Sequence, residues 1–291
     1  MRSGYLVEKL PNGVVRVTDT DPTNGDDGID RLTGVEALRF PDSIEGGFGK
    51  AIQRGTGGAN ALDLTAAGGQ IGAGGAGNDV YRVNSTADAV VELGNGGRDR
   101  VEANVNWVLW DNVEDLRFTG GNAVSGWGNE LGNRMEGNGA ANQLKGYGGN
   151  DTLFGASGAD RLDGGDGTDV LRGGAGNDVL TGGAATDTFL FDAALSGNKD
   201  TISDFVPGTD RLQLDNDVFT ALGTLGALAP LQFVAGANLK AAQDADDRIV
   251  YDTSTGTLYY DADGKGGAAA VAFAVLSGSP SIAAGDILIG D

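Results

Sequence analysis

The chain has 291 residues, with 41 Asp or Glu against 20 Lys or Arg and a net charge of −21 at pH 7. This balance argues against nucleic acids and anionic membrane surfaces as partners, since both require Lys and Arg on the protein. The sequence contains no His, no Cys and no run of about 18 apolar residues, which excludes His-based catalytic triads, HExxH zinc sites, disulfides and a membrane-spanning helix.

The first 127 residues are predicted to form β segments. In Tyr5–Val17, apolar and polar residues alternate on both sides of a Pro-Asn-Gly turn, which predicts a hairpin. The acidic stretch Thr18–Asp30 is interpreted as a solvated loop, with an isolated calcium loop as the alternative. Gly28–Phe40 and Gly96–Phe118 both run from Asp-Arg to Val-Glu-x-Leu-Arg-Phe. Their period-two alternation predicts two structural strand–turn–strand units.

A single nine-residue row, GGAGNDVYR at Gly74–Arg82, lies between these two copies. The rows upstream of it are degenerate, because Asn60 and Gly69 occupy the place that Asp79 holds. Because Asp79 lacks a strong partner two rows earlier, its row is predicted to form a weak or empty cation site.

From residue 128 the sequence repeats every nine residues. Rows that begin at Gly128 and Gly137 carry Asn133 and Asn142 at position six, and are predicted to continue the stack with few or no ions. The five rows of Gly146–Leu190 read GYGGNDTLF, GASGADRLD, GGDGTDVLR, GGAGNDVLT and GGAATDTFL. A short fixed period is typical of a solenoid, in which each repeat contacts its neighbours.

The repeated residue types predict a calcium site between coils. Two rows make one coil of about 18 residues, so carboxylates two rows apart should face each other. Glycines at positions one, two and four allow tight turns that aim carbonyl oxygens inward, and hard oxygens suit Ca²⁺ at six to eight ligands better than Mg²⁺. Ions are predicted between Asp151 and Asp169, Asp160 and Asp178, and Asp169 and Asp187. The remaining predicted ligands are the carbonyls of Gly146, Gly149, Gly155, Gly158, Gly164, Gly165, Gly167, Gly173, Gly174, Gly176, Gly182 and Gly183.

These rows resemble the GGxGxDxUx nonapeptides of RTX (repeats-in-toxin) proteins, which bind several calcium ions. Gly173–Thr181 matches every position, and three rows depart at position two or four, at Tyr147, Ala156 and Ala185. The resemblance implies an all-β fold with a right-handed parallel β-roll (β-solenoid) over residues 128–191. Flanking β segments would occupy residues 1–127, and a β-rich region residues 192–291. A disordered Gly/Asp-rich linker is the alternative.

The end of the roll, Thr186–Leu214, resembles the roll exit of serralysin-type secreted proteins, which implies that Asp200 and Asp210 complete terminal calcium sites. The tail resembles the uncleaved C-terminal signal of bacterial type I secreted proteins. This implies an extracellular protein whose partners are calcium ions, the type I secretion apparatus and a cell-surface or polysaccharide ligand. Asp261 begins an EF-hand-like Asp-Ala-Asp-Gly, but position twelve is Ala272, so a hairpin turn is predicted there instead.

Two functions are compatible with these features. The first is a non-enzymatic calcium-binding module that folds outside the cell and serves secretion, structure or adhesion. The second is the C-terminal part of a larger secreted enzyme, either a carboxylate-based glycanase or one whose catalytic domain lies outside this sequence. Trp107, Trp110 and Trp127 could form a sugar-stacking platform, but core packing is the favoured interpretation.

Overall fold

The computed structural model describes the strands at residues 5–9, 15–19 and 29–32 by their backbone, and residues 52–66, 69–94 and 96–291. Within these residues the chain forms β-strands and two short 3-10 helices, Pro230–Gln232 and Ala284–Asp286, and no α-helix. No helix among them could span a membrane.

The strands follow one another along the chain with these bounds: β1 (Tyr5–Lys9), β2 (Val15–Asp19), β3 (Ile29–Leu32), β4 (Ile52–Arg54), β5 (Ala61–Asp63), β6 (Ile71–Ala73), β7 (Val80–Val83), β8 (Ala89–Val91), β9 (Arg100–Ala103), β10 (Trp107–Val108), β11 (Asp115–Phe118), β12 (Ser125–Trp127), β13 (Arg134–Glu136), β14 (Gln143–Gly148), β15 (Thr152–Ser157), β16 (Arg161–Asp166), β17 (Val170–Ala175), β18 (Val179–Ala184), β19 (Thr188–Phe191), β20 (Asp200–Ile202), β21 (Arg211–Asp215), β22 (Gly226–Ala227), β23 (Phe233–Gly236), β24 (Ile249–Asp252), β25 (Thr257–Tyr260), β26 (Val271–Leu276) and β27 (Ile287–Gly290).

The predicted N-terminal hairpin is confirmed at the level of strand pairing. Strands β1 and β2 pair antiparallel, with Tyr5 opposite Asp19, and β3 adds antiparallel to β2. The turn between β1 and β2 lies outside the described residues. So do most of the acidic stretch at 18–30 and, beyond β3, the rest of the copy at 28–40.

From β4 to β21 the chain forms a parallel β-solenoid, which confirms the predicted β-roll. Odd-numbered strands from β5 to β21 stack in one sheet, even-numbered strands from β10 to β20 stack in a second, and β4, β6 and β8 form a short third sheet. In the regular part Leu153 lies opposite Leu171 and Leu144 opposite Leu162, so one coil contains 18 residues. Two nine-residue rows therefore complete one coil.

The solenoid also includes coils of irregular length before residue 128. Val80 pairs with Arg100, Arg100 with Asp115, and Asp115 with Arg134, which gives spacings of 20, 15 and 19 residues. The segment Gly96–Phe118 supplies β9 and β11 as neighbours in one sheet, with β10 in the other. Parallel stacking thus continues where the nine-residue period is lost.

An apolar column fills the space between the two sheets. Strand residues alternate between inward and outward positions, and position eight of every row points inward. The column runs unbroken through side chains that are at most 2 % exposed: Met135, Leu144, Leu153, Leu162, Leu171, Leu180 and Phe189. Burial of apolar surface therefore stabilises every coil, including those that carry Asn at position six.

The C-terminal region extends both sheets. Strand β26 pairs parallel with β20, and β27 pairs parallel with β21. Strands β24, β25 and β26 pair antiparallel, so the segment that begins at Asp261 connects hairpin strands, as predicted. Phe273 packs edge-on against Phe191 and Phe219, with ring centroids 5.3 and 5.1 Å apart. These contacts cover the end of the solenoid, which would otherwise expose sheet edges and core.

Candidate metal centre

The position-six carboxylates stack in two columns, one beside each sheet. The backbone N–H of Asp151 donates to Oδ1 of Asp169 at 2.7 Å, and that of Asp169 donates to Oδ1 of Asp187 at 2.9 Å. In the other column the N–H of Asp160 donates to Oδ1 of Asp178 at 2.7 Å. All five side chains are at most 1 % exposed. The predicted pairing of alternate rows is therefore confirmed.

Asp200 and Asp210 occupy the C-terminal ends of these columns. The N–H of Asp178 donates to Oδ1 of Asp200 at 3.0 Å, and that of Asp187 donates to Oδ1 of Asp210 at 3.1 Å. The two aspartates joined by each of these hydrogen bonds are now 22 and 23 residues apart, yet the same pattern of N–H to carboxylate hydrogen bonds continues. Asp210 differs from the others because its Oδ2 accepts the N–H of Val206 at 2.8 Å.

The second carboxylate oxygen of each repeat aspartate is buried and has no hydrogen-bond partner. This holds for Oδ2 of Asp151, Asp160, Asp169, Asp178 and Asp187. A buried anionic oxygen without a donor is strongly unfavourable, so an arrangement that repeats it five times favours a cation bound in front of these oxygens.

Position-one glycines leave space in front of these oxygens. A Cβ built on Gly164 would collide with Asp169 Oδ2 and would lie 2.6 Å from the carbonyl oxygen of Gly182, one coil further on. A Cβ on Gly155 would meet Asp160 Oδ2 and the Gly173 carbonyl oxygen in the same way. Each space is thus flanked by a carboxylate oxygen and a carbonyl oxygen, both hard ligands.

The asparagine rows show how the same position is satisfied without an ion. Asn133 accepts the N–H of Asn129 with Oδ1, and its Nδ2 donates to the Glu114 carbonyl oxygen at 3.2 Å. Asn142 accepts the N–H of Asn138, and its Nδ2 lies 3.4 Å from the Val124 carbonyl oxygen. An amide therefore supplies donors to inward carbonyls. Aspartate cannot, so a cation is the group that would satisfy both its Oδ2 and these carbonyls.

In the five rows of Gly146–Leu190, positions two and four keep a left-handed backbone whichever residue they carry. Glycine holds φ between 94° and 148° at Gly149, Gly158, Gly165, Gly167, Gly174, Gly176 and Gly183. The three departures from the pattern, Tyr147, Ala156 and Ala185, have φ of 80°, 82° and 79°. The turns of these rows therefore have the same shape, and the non-glycine residues adopt that shape at a steric cost.

We expect Ala156→Gly to stabilise the calcium-loaded chain by roughly 0.5–1 kcal/mol, because the relief of left-handed strain outweighs the added freedom of the unfolded chain. Denaturant unfolding measures the change. Ala175→Gly is the matched control, since Ala175 is exposed and lacks a positive φ; it should be neutral or destabilising. Equal shifts in the two variants would contradict the strain argument.

Burial raises the pKa values of the column carboxylates. Removal from water, with a smaller contribution from neighbouring carboxylates, raises the pKa of Asp151, Asp160 and Asp200 to about 7 and that of Asp187 to about 6. The pKa values of Asp169 and Asp178 are raised for the same primary reason. Hydrogen bonds from backbone N–H groups oppose these shifts without cancelling them.

In calcium-free buffer we expect the stability of the roll to fall as the pH rises from about 4 to about 7. The folded-state pKa values lie above the unfolded value near 4, so the folded state binds more protons within this window and loses its advantage as they leave. Saturating calcium should reverse the trend, because the ion requires deprotonated carboxylates. The fraction of folded roll at pH 5 and at pH 8, read from far-ultraviolet circular dichroism with and without calcium, measures both trends. Calcium-free stability that increases with pH would contradict the assignment.

Sequence reasoning missed the partner that Asp99 provides for Asp79 in the N-terminal coils. Asn60 donates its N–H to Oδ1 of Asp79 at 2.6 Å, as a weak partner one coil earlier. One coil later, however, Asp79 donates its own N–H to Oδ1 of Asp99 at 2.7 Å. The expectation that Asp79 lacks a strong partner two rows earlier is confirmed, since Asn60 stands there. Its partner one coil later, Asp99, was missed because this coil contains 20 residues and a search at a spacing of 18 passes over it.

The repeats match a known family. The family model described as RTX calcium-binding nonapeptide repeat (4 copies) matches residues 127–162 and 163–193. None of the curated proteins matches the chain. The solution structure of a subunit of the Azotobacter vinelandii mannuronan C5-epimerase is 24% identical and covers 55% of this chain and 79% of that one; its TM-score is 0.22. With their phased glycines and stacked aspartates, residues 127–193 belong to the RTX calcium-binding nonapeptide repeats, and the chain carries a calcium-binding β-roll module.

Proposed function

We propose that this chain is the calcium-dependent roll of a secreted bacterial protein, exported by the type I pathway and folded by calcium outside the cell. The observation that carries the proposal is the set of five buried, unpartnered Oδ2 atoms. Several ions would lie between Asp151 and Asp169, Asp169 and Asp187, and Asp160 and Asp178. Asp200, Asp210 and the position-one, -two and -four glycine carbonyls would complete the ligand sets.

Calcium concentration would set where the roll folds. Extracellular calcium modules bind at about 10⁻⁴–10⁻³ M, far above the free calcium level of a cytosol. Inside the cell the stacked carboxylates would repel one another without hydration, which disfavours the roll. Outside, each bound ion would contribute its binding free energy to folding. A chain that stays unfolded until export suits passage through a narrow secretion channel.

The proposed division of labour follows the chain. Residues 128–191, completed by Asp200 and Asp210, would hold the repeat ions, and residues 192–291 would also close the roll and carry the secretion signal. The described strands between residues 52 and 127 would add further coils on the N-terminal side of the repeats. The module would serve secretion and structure, and adhesion to a cell-surface or polysaccharide ligand.

Calorimetric titration of the full chain with Ca²⁺ and, separately, with Mg²⁺ tests the proposal. We expect several ions of Ca²⁺ per chain with dissociation constants near 10⁻⁴–10⁻³ M, and weak or no binding of Mg²⁺, which demands a smaller octahedral site. Saturation of the repeat sites at cytosolic calcium levels, or equal binding of the two ions, would contradict a switch that acts on export.

A further inference from the structure

Three carboxylates meet inside the solenoid before the repeats begin. Asp79 precedes β7, Glu92 follows β8 and Asp99 precedes β9. One oxygen from each lies within 4.8 Å of the other two. The side chains are 1 %, 6 % and 0 % exposed. We call these three residues the carboxylate trio; they lie outside the residues that the family model matches.

Two oxygens of the trio lack any partner. Oδ1 of Asp79 and Oδ1 of Asp99 each accept a backbone N–H from the preceding coil, but both Oδ2 atoms are buried and unpartnered. A Cβ built on Gly74 would collide with Asp79 Oδ2 and would lie 2.5 Å from Glu92 Oε1. The unpartnered oxygen and the glutamate are therefore aimed into one space.

Glu92 enters this space by replacing a glycine of the repeat pattern. Ala73 pairs with Val91, so Glu92 stands one coil after Gly74, at the position that Gly164 holds relative to Gly146. In the repeats that position offers only a carbonyl oxygen. Here it offers a carboxylate, whose Oε2 accepts the N–H of Gly75 at 3.2 Å.

Tyr81 orders the glutamate from the core side. It takes the place of the repeat leucine at position eight and is fully buried. Its hydroxyl accepts the N–H of Gly74 at 2.6 Å and donates to Glu92 Oε1. The phenol thus fixes the carboxylate next to Asp79 and places a chromophore in direct contact with the trio.

No cationic side chain near the trio neutralises it within the described residues. The arginines closest in sequence pair on the outer face instead, Arg82 and Arg100 with Glu102 and Arg98 with Asp115. Three buried carboxylates without a counter-ion offer more negative charge than the two that face each other in each repeat site. Greater ligand charge raises calcium affinity.

We propose that Asp79, Glu92 and Asp99 bind one Ca²⁺ more tightly than the two-carboxylate sites of residues 146–191. This site can bind its ion while the repeat sites are still empty, and it would fill first as the calcium concentration rises. It would therefore order the N-terminal coils at calcium levels that leave the repeat sites empty. All the ligand atoms of this site are hard oxygens, which favours Ca²⁺ over softer metals.

Calorimetric titration of the full chain with Ca²⁺ tests the site through its variants. We expect one tight ion ahead of the weaker class, and about tenfold or greater weakening of that ion alone in Glu92→Gln and Asp99→Asn. Glu102→Gln is the matched control on the outer face and should leave both classes unchanged. Asp169→Asn should alter only the weaker class. A wild type with no separate tight class, or a tight class unaffected by Glu92→Gln, would overturn the proposal.

Tyr81 supplies a second readout that does not depend on the stability of the acidic variants. The first equivalent of Ca²⁺ should draw Glu92 away from the phenol and produce a tyrosine difference spectrum in the near ultraviolet. Tyr81→Phe should abolish that spectrum. A spectrum that persists in Tyr81→Phe would place the tight ion elsewhere and overturn the proposal. Loss of the weaker class with the tight ion retained would instead count against calcium in the repeats, so the two failures are distinguishable.

Discussion

Removal of calcium is expected to unfold the repeat block, with loss of most of the β signal of residues 128–214. The Oδ2 atoms of five buried carboxylates would then face carbonyl oxygens with no donor and no cation, and the columns place like charges one coil apart. Each ion that binds only the folded state adds RT ln(1 + [L]/Kd) to stability, about 1.4 kcal/mol at tenfold excess. Several ions together contribute as much as the total stability of a typical domain.

Far-ultraviolet circular dichroism of the full chain, titrated from chelator into millimolar calcium, measures this transition. Mg²⁺ at the same concentration is the control and should restore little of the signal. A β-rich spectrum that is unchanged in excess chelator would show that the apolar column from Met135 to Phe189 holds the roll by itself. Calcium would then bind to a preformed structure and would not drive folding.

Asp169→Asn is expected to make the calcium-free roll more stable and the calcium-loaded roll less so. Asp169 stands in the middle of its column, between Asp151 and Asp187, and serves the gaps on both sides. An amide there could donate to inward carbonyl oxygens, as Asn133 and Asn142 do, which relieves an unsatisfied buried group by about 1–3 kcal/mol. The two ions that share Asp169 would each lose a charged ligand, so the stability added by calcium should shrink by about 3 kcal/mol.

Asp166→Asn is the matched control, because Asp166 lies three residues away in the same turn with an exposed side chain. It removes the same charge from an exposed position. The stability of the calcium-free roll and the stability added by calcium should both change little, because water and salt screen a surface charge. The fraction folded without calcium and the gain on calcium addition are read from the same unfolding curves. Equal behaviour of Asp169→Asn and Asp166→Asn would refute the shared-ligand geometry.

Periodicity determined how much of this structure could be predicted from the sequence. Where nine-residue rows are in phase, position six and position eight can be assigned by counting, and the columns of Asp169 and Leu171 follow directly. Where coils contain 15, 19 or 20 residues, counting fails, and Asp99 was missed for that reason. Glu92 could be recognised only once the structure showed that it stands at a position where the repeats carry glycine.

Long-range pairing in the tail could not be predicted in this way. The pairing of β26 with β20 and of β27 with β21 joins residues 74 and 75 positions apart, such as Asp200 with Ala274 and Leu212 with Ile287. No repeat or turn motif specifies such partners, since they depend on which strand edges the solenoid leaves uncovered. The residue types of the tail predicted strands but not their place on the roll.

Anomalous scattering at a calcium-sensitive wavelength, from crystals grown with calcium, tests the central claim most directly. We predict peaks in the gaps between Asp151 and Asp169, between Asp169 and Asp187 and between Asp160 and Asp178, each in front of the unpartnered Oδ2 atoms. Peaks beside Asn133 and Asn142 alone, or no peaks along either column, would contradict the account.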